Sequence, residues 1–167
     1  MRYRLLPKQT KSGVVTAVHD GDSIKVVFPD ETVWIRLYGC DAPEVVSNHV
    51  AAHQPAGKEA GSFLRGFVKG KTVTVETLFK DQFGRMICKV MLGEEDLTER
   101  MIASGWAWFL PEPKMETETV VKLKTLHETA KKSKEGLWGF AGRKVRPETW
   151  RKNNRRFSME KEFEDLW

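Results

Sequence analysis

Three carboxylates recur at points where an extended chain has to turn: Asp22, Asp41 and Glu44. Between the first two stands Arg36, an isolated cation in an apolar run, and Arg85 repeats that situation further along. If Asp22 and Asp41 share one barrel end, then together with carbonyls and water they make a hard-oxygen site for Ca2+ or Mg2+. Arginine presents a planar fork that meets phosphate through two charge-assisted hydrogen bonds. Two such forks and one divalent cation around a phosphodiester would offset the charge that grows in a pentacovalent transition state. Glu44 follows Pro43, three residues past Asp41, where it can orient or deprotonate a water. Taken singly, each residue is also an ordinary turn former, loop acid or outward strand charge. It is the combination that points to chemistry.

The elements that must position these residues follow from periodicity. Val14 to Val18 is a β-rich run, and Asp20-Gly21 is a tight-turn signal. In the second run Ile24, Val26 and Phe28 alternate against Ser23, Lys25 and Val27. Pro29-Asp30-Glu31 interrupts, and a third run places Val33, Ile35 and Leu37 on one face and Trp34, Arg36 and Tyr38 on the other. Alternation thus directs Arg36 away from the core. Residues 45 to 57 read as a polar loop. Ala60, Phe63, Leu64, Phe67 and Val68 then mark one face of a helix ended by Gly70. Thr72 to Leu78 and Arg85 to Leu92 are two further strands around an Asp81–Gly84 turn. Asp96 with Glu99 is a capping-box pattern opening a second helix that Gly105 closes. A third helix spans about 117 to 134 with Val120, Leu123, Leu126 and Ala130 as its apolar stripe, and Gly136 stops it.

Three strands, a helix, two strands and two helices give an α+β chain with a mainly β core. The plan is a five-stranded OB-fold β-barrel with three α-helices. The expected division is an N-terminal extension over 1–13, the barrel domain over 14–138 and a C-terminal extension over 139–167. The extension is electrically divided. Residues 143 to 156 carry seven Lys or Arg against one Glu, and the last eleven carry four acids against one Lys. A basic stretch of this kind suits a polyanion, and Arg143, Lys144, Arg146, Arg151 and Lys152, followed by Arg155 and Arg156, are its candidate contacts.

Other chemistries find less support. Cys40 and Cys88 are too few for a disulfide framework or structural zinc and read as two buried thiols, with a single disulfide open to them if the protein is exported. His49 and His53 have i, i+4 spacing but lack the intervening Glu of a zinc-hydrolase helix and fall in the loop. No apolar run approaches the ~18 residues of a membrane span. The first residues carry charge without an apolar signal core, so export would require a leader already removed.

The ordered set Asp20-Gly21-Asp22-Ser23, Ile35-Arg36-Leu37, Asp41-Ala42-Pro43-Glu44 and Phe83-Gly84-Arg85 resembles the staphylococcal nuclease (thermonuclease) family. The resemblance covers about residues 14 to 138, including Gly57-Lys58-Glu59-Ala60 and Glu135-Gly136-Leu137-Trp138. It implies a Ca2+-dependent nuclease acting on DNA and RNA, internally and from ends, that cuts the P–O5′ bond and leaves 3′-phosphates. It also implies one Ca2+ held by Asp22, Asp41 and the Ala42 carbonyl, a scissile phosphate held by Arg36 and Arg85, and Glu44 as general base. Gln82-Phe83 departs from the family's Lys-Tyr at this point, which removes an ammonium and a phenol from the phosphate site. Phe83, Trp108 and Phe109 are the aromatic candidates for nucleic-acid contact. The chain is expected to act as a monomer. On this reading Arg36→Ala or Arg85→Ala cuts turnover by orders of magnitude while leaving the fold intact. Two non-catalytic readings stay open: a nuclease-like barrel that only binds nucleic acid or protein, and an OB-fold single-strand binder.

Overall fold

The computed structural model describes residues 4–81 and 84–155. In chain order the elements are β1 (Arg4–Leu5), β2 (Thr10–Val18), β3 (Ser23–Val27), β4 (Thr32–Leu37), β5 (Cys40–Asp41), α1 (Gly57–Val68), β6 (Thr72–Lys80), β7 (Met86–Leu92), β8 (Glu95–Asp96), α2 (Leu97–Ala103), β9 (Trp108–Phe109), α3 (Thr117–Lys132), a 3-10 turn (Gly136–Gly139) and α4 (Pro147–Asn153). Strands β2, β3, β4, β7 and β6 form a ring, because β6 pairs with both β2 and β7. The β4–β7 pairing is parallel and the others in the ring are antiparallel. This closed mixed barrel of five strands is the OB-fold plan. Full closure removes the two unpaired edges that an open sheet of this size would expose.

The strands form where β-branched residues alternate with polar ones. Ile24, Val26, Ile35, Leu37, Val73, Val75 and Val90 all point into the barrel and are buried. Leu64 and Val68 of α1, and Met101 and Ile102 of α2, join the same core. At Gly13 the chain passes so close to β3 that a Cβ would lie 2.6 Å from Val26 Cγ1 and 2.8 Å from the Val27 carbonyl oxygen. Asp96 caps α2 as its pattern implies, its carboxylate accepting from the amides of Thr98 and Glu99. The reciprocal half of the box is absent: the Glu99 side chain is drawn across to Lys122 of α3 at 2.6 Å.

Two segments are more ordered than their composition implies. Residues 4 and 5 pair with β6, and β2 begins at Thr10, inside the stretch expected as an N-terminal extension. Beyond the third helix there is a fourth, α4, opened by a buried Pro147. Proline at the first helical position costs no hydrogen bond there and is pre-set in φ. Cys40 and Cys88 are buried, unbridged thiols. Among the described residues no helix is long and apolar enough to cross a membrane.

Candidate active site

The acids and arginines gather at one rim of the barrel, where the β2–β3 turn, the end of β4, β5 and the loop before α1 meet. The turn is held there by close packing. At Gly21 a Cβ would fall 2.7 Å from Ala42 Cβ and 2.9 Å from Ala60 Cβ, so only glycine lets the turn lie against both β5 and α1. Gly57 serves the same rim: a Cβ there would overlap the Glu44 carbonyl oxygen. The Leu37 amide donates to the Asp22 carbonyl at 2.8 Å, tying the turn to the end of β4.

Asp22 is buried, and each of its oxygens is used. Oδ1 accepts from Ser23 Oγ at 2.9 Å and Oδ2 accepts from the Ala42 amide at 2.8 Å. Burial alone would push this carboxyl up, but Arg36, the Ala42 amide, Arg85 and Ser23 together hold it below its ordinary value. Asp20, two residues back, accepts from the Asp22 amide at 3.1 Å. Burial, reinforced by the charges of Asp22 and Glu44, drives Asp20 well above the ordinary carboxylate range. Environment thus pushes the carboxyls of the two aspartates of one turn in opposite directions.

Arg36 stands on the outer face of β4, as alternation directs, yet it is buried there. The outer face of β4 changes character along its length: Trp34 is 42% exposed, whereas Arg36 is 3% exposed. The β5–β9 ribbon and the segment after it cover the guanidinium. Nη1 donates to Glu112 Oε1 at 2.8 Å, and Nη2 donates to the Cys40 carbonyl at 2.9 Å and to Asp41 Oδ1 at 3.4 Å. Burial disfavours its charge, yet Asp22, Asp41 and Glu112 more than reverse that and raise its pKa. Arg85, just before β7, is half-buried. Its Nε and its backbone amide both donate to the carboxylate of Asp81, at 2.9 and 3.0 Å. Its charge also acts on Asp22 and on His19.

Glu44 is pushed up to about 7, chiefly by burial, with Arg151 opposing and Asp22 and Asp41 adding to the rise. Relative to the ordinary value of 4.5, the folded protein keeps a proton that the unfolded chain has released. Stability therefore falls as pH rises through that window. Glu44→Gln is expected to reduce that slope between about pH 5 and about pH 8 in urea denaturation, by on the order of 1–3 kcal/mol. An unchanged slope would assign the proton to another group.

Arg151 reaches the site from α4. Its Nη1 and Nη2 donate to the two oxygens of Asp41 at 3.0 and 3.1 Å, and Nη1 also donates to Glu44 Oε1. Among the described residues of the basic segment, it is the one whose side chain pairs with Asp41 and Glu44. Arg143, Arg146 and Lys152 are exposed, Lys152 is paired with Glu148 at 2.9 Å, and Lys144 is folded back on the carbonyls of Phe140 and Gly142.

Trp108 and Phe109 form β9, antiparallel to β5, and are 5% and 8% exposed. Trp108 meets the edge of Trp138 at 5.1 Å, and the Phe109 amide donates to His127 Nδ1 at 3.2 Å. Both rings belong to the core, which corrects the expectation that they contact a nucleotide. Their strand pairs directly with Asp41 and Cys40, so they shape the rim from behind. Gln82 and Phe83, like Arg156 and the acidic tail, lie outside the described residues. His53 stays in the loop, its Nδ1 accepting from the Val46 amide.

Three participants are not singled out by pattern: Asp20, Asp81 and Glu112. Glu112 leaves the clearest trace, as an acid flanked by Pro111 and Pro113 at the end of an aromatic run. The donor chemistry of Asp22, Asp41, Glu44 and the Ala42 carbonyl is all oxygen and fits a hard divalent cation. The present arrangement does not close a shell around one. Among the described residues no group of three or more His, Cys, Asp or Glu stands ready to hold a metal ion.

Fold and site together define an OB-fold barrel with an acid and arginine cluster at one rim. Comparison with known proteins names the class more closely. Residues 34–139 match the family model described as staphylococcal nuclease homologue. The chain belongs to that family. It is 34% identical over 140 residues to an uncharacterized endonuclease of Escherichia coli O157:H7, across 83% of this chain and 84% of that one. It is 37% identical over 176 residues to a probable endonuclease of Yarrowia lipolytica, across 87% of this chain and 76% of that one. An uncharacterized protein of Bacillus anthracis is 31% identical over 144 residues, across 84% and 67% of the two chains.

Proposed function

We propose that this chain is a nuclease that hydrolyses phosphodiester bonds of DNA and RNA with the help of one Ca2+, leaving 3′-phosphorylated products. The observation that supports the reading is the meeting of Asp22, Arg36, Asp41 and Glu44 at one rim, from three stretches of chain, with the charge of Arg85 acting on Asp22. The names of the Escherichia coli and Yarrowia relatives support it.

Asp22, Asp41 and the Ala42 carbonyl would hold the cation, which when bound supplies Lewis-acid stabilisation of charge on phosphate oxygens. Glu44, with a pKa near neutrality, accepts the proton of the attacking water. A general base is most effective when its pKa lies near the working pH. The water oxygen forms its bond to phosphorus as the P–O5′ bond breaks, and the departing oxygen takes up a proton from solvent. Arg85 steadies the phosphate oxygens as their charge grows. Arg36 lies deeper and fixes Asp41, so its part is to hold the carboxylate as well as to add positive potential. The exposed cations Arg143, Arg146 and Lys152 extend a positive surface for the backbone of a longer substrate.

Plasmid DNA and a structured RNA incubated with Ca2+, with Mg2+ and with EDTA test this directly. Cleavage of both with Ca2+ and none with EDTA is the expected outcome. Cleavage that survives full chelation would refute the cation's role, and binding without cleavage under every condition would make the chain a nucleic-acid-binding barrel.

A further inference from the structure

We propose that Arg151 is an internal counter-cation that competes with the divalent ion for Asp41 and Glu44, so that the C-terminal arm sets the site's cation affinity. The inference rests on the nuclease reading of the rim but concerns a residue outside the matched family region, 34–139.

The contact is built. Arg151 forks both oxygens of Asp41, and Oδ1 of the same carboxylate also receives Arg36. A bidentate arginine–carboxylate pair of this kind is among the stronger charge-assisted contacts a protein makes. The third bond, to Glu44, puts one guanidinium between the two acids. Buried acids without a cation repel one another, and a guanidinium carried on the chain relieves that repulsion.

Helix α4 is fixed in the register that this needs. Trp150 Nε1 donates to the Ala52 carbonyl at 3.0 Å, and the Ala51 amide donates to the Asn154 carbonyl at 2.8 Å. Gln54 Nε2 donates to the Val145 carbonyl at 2.6 Å. Gln54 in turn brackets Glu44: its Oε1 accepts from the Glu44 amide, and its own amide donates to the Glu44 carbonyl. The arm therefore docks on the loop that carries the general base. The Arg151 side chain remains 33% exposed, so it has a path to solvent when it leaves.

A divalent ion needs oxygen lone pairs of Asp41 that Arg151 now engages, and it adds positive charge beside a guanidinium. Binding of one must weaken the other, and the coupling is reciprocal.

Isothermal titration of CaCl2 into the full chain, without nucleic acid, tests the proposal. Arg151→Ala should bind Ca2+ about tenfold or more tightly than the unaltered protein, within the usual range of such couplings. Trp150→Ala, which releases the arm but keeps the arginine, should move affinity the same way by less. Hydrogen exchange on the unaltered protein gives an independent readout, because Ca2+ should speed exchange over residues 147–155. Equal or weaker Ca2+ binding by Arg151→Ala, or exchange in the arm that Ca2+ leaves unchanged or slows, would overturn the competition and leave the nuclease reading standing. Binding of Ca2+ to none of the proteins would overturn both.

Discussion

Arg36→Ala is expected to cost about 3–5 kcal/mol of stability, the usual penalty for removing one partner of a buried ion pair. For a chain of this length that corresponds to a melting temperature lower by on the order of 10 °C. The reason is the company the guanidinium keeps. Glu112 is 1% exposed at its side chain, and its carboxylate meets Arg36 at 2.8 Å. The Cys40 carbonyl would lose its 2.9 Å donor in the same stroke. Thermal denaturation followed by circular dichroism checks this, and a melting temperature equal to the parent's would refute it. The double variant Arg36→Met with Glu112→Leu separates stability from chemistry. Replacing a buried pair by apolar groups of similar size is often neutral or stabilising, so the double variant should recover the melting temperature while remaining inactive.

Arg85→Ala should behave in the opposite way. We expect kcat to fall by about 10²–10³, the typical effect of deleting one preorganised donor to a transition-state oxyanion. The melting temperature should change little. The Arg85 side chain is 35% exposed, and Asp81 keeps the backbone amide of residue 85 as a partner after truncation. Arg85→Lys should restore only part of the rate, because an ammonium keeps the charge but loses the planar fork. Single-turnover cleavage of a short oligonucleotide at saturating Ca2+ reads the chemical step. A wild-type rate in Arg85→Ala would remove this residue from the phosphate site.

The contrast between the two arginines shows how far pattern alone reaches. Both look alike in the sequence, each a lone cation in a β-rich run. Period-2 alternation correctly puts Ile35 and Leu37 inside the barrel, and it places Arg36 on the outer face. It cannot say what covers that face. The cover comes from β9 and Glu112, more than seventy residues downstream. The aromatic run at 106–109 misleads for a similar reason. A cluster of large rings suits a stacking platform or a core equally, and only the pairing of β9 with β5 decides for the core. The barrel order was readable because each strand carries its own alternation and each turn its own Gly, Asp or Pro. Helix α4 was not. It is short, and its sequence reads as a charged stretch until Trp150 is seen against the Ala52 carbonyl.

The bond between Arg36 and Glu112 joins residues 76 positions apart. A contact of such separation needs a long loop to be closed before it can form. A growing chain therefore presents Asp22, Arg36, Asp41 and Glu44 well before the partner that settles Arg36 has been made. In a chain made from its N-terminus the rim cannot be complete until Glu112, and before it the β9 strand that pairs with β5, has emerged.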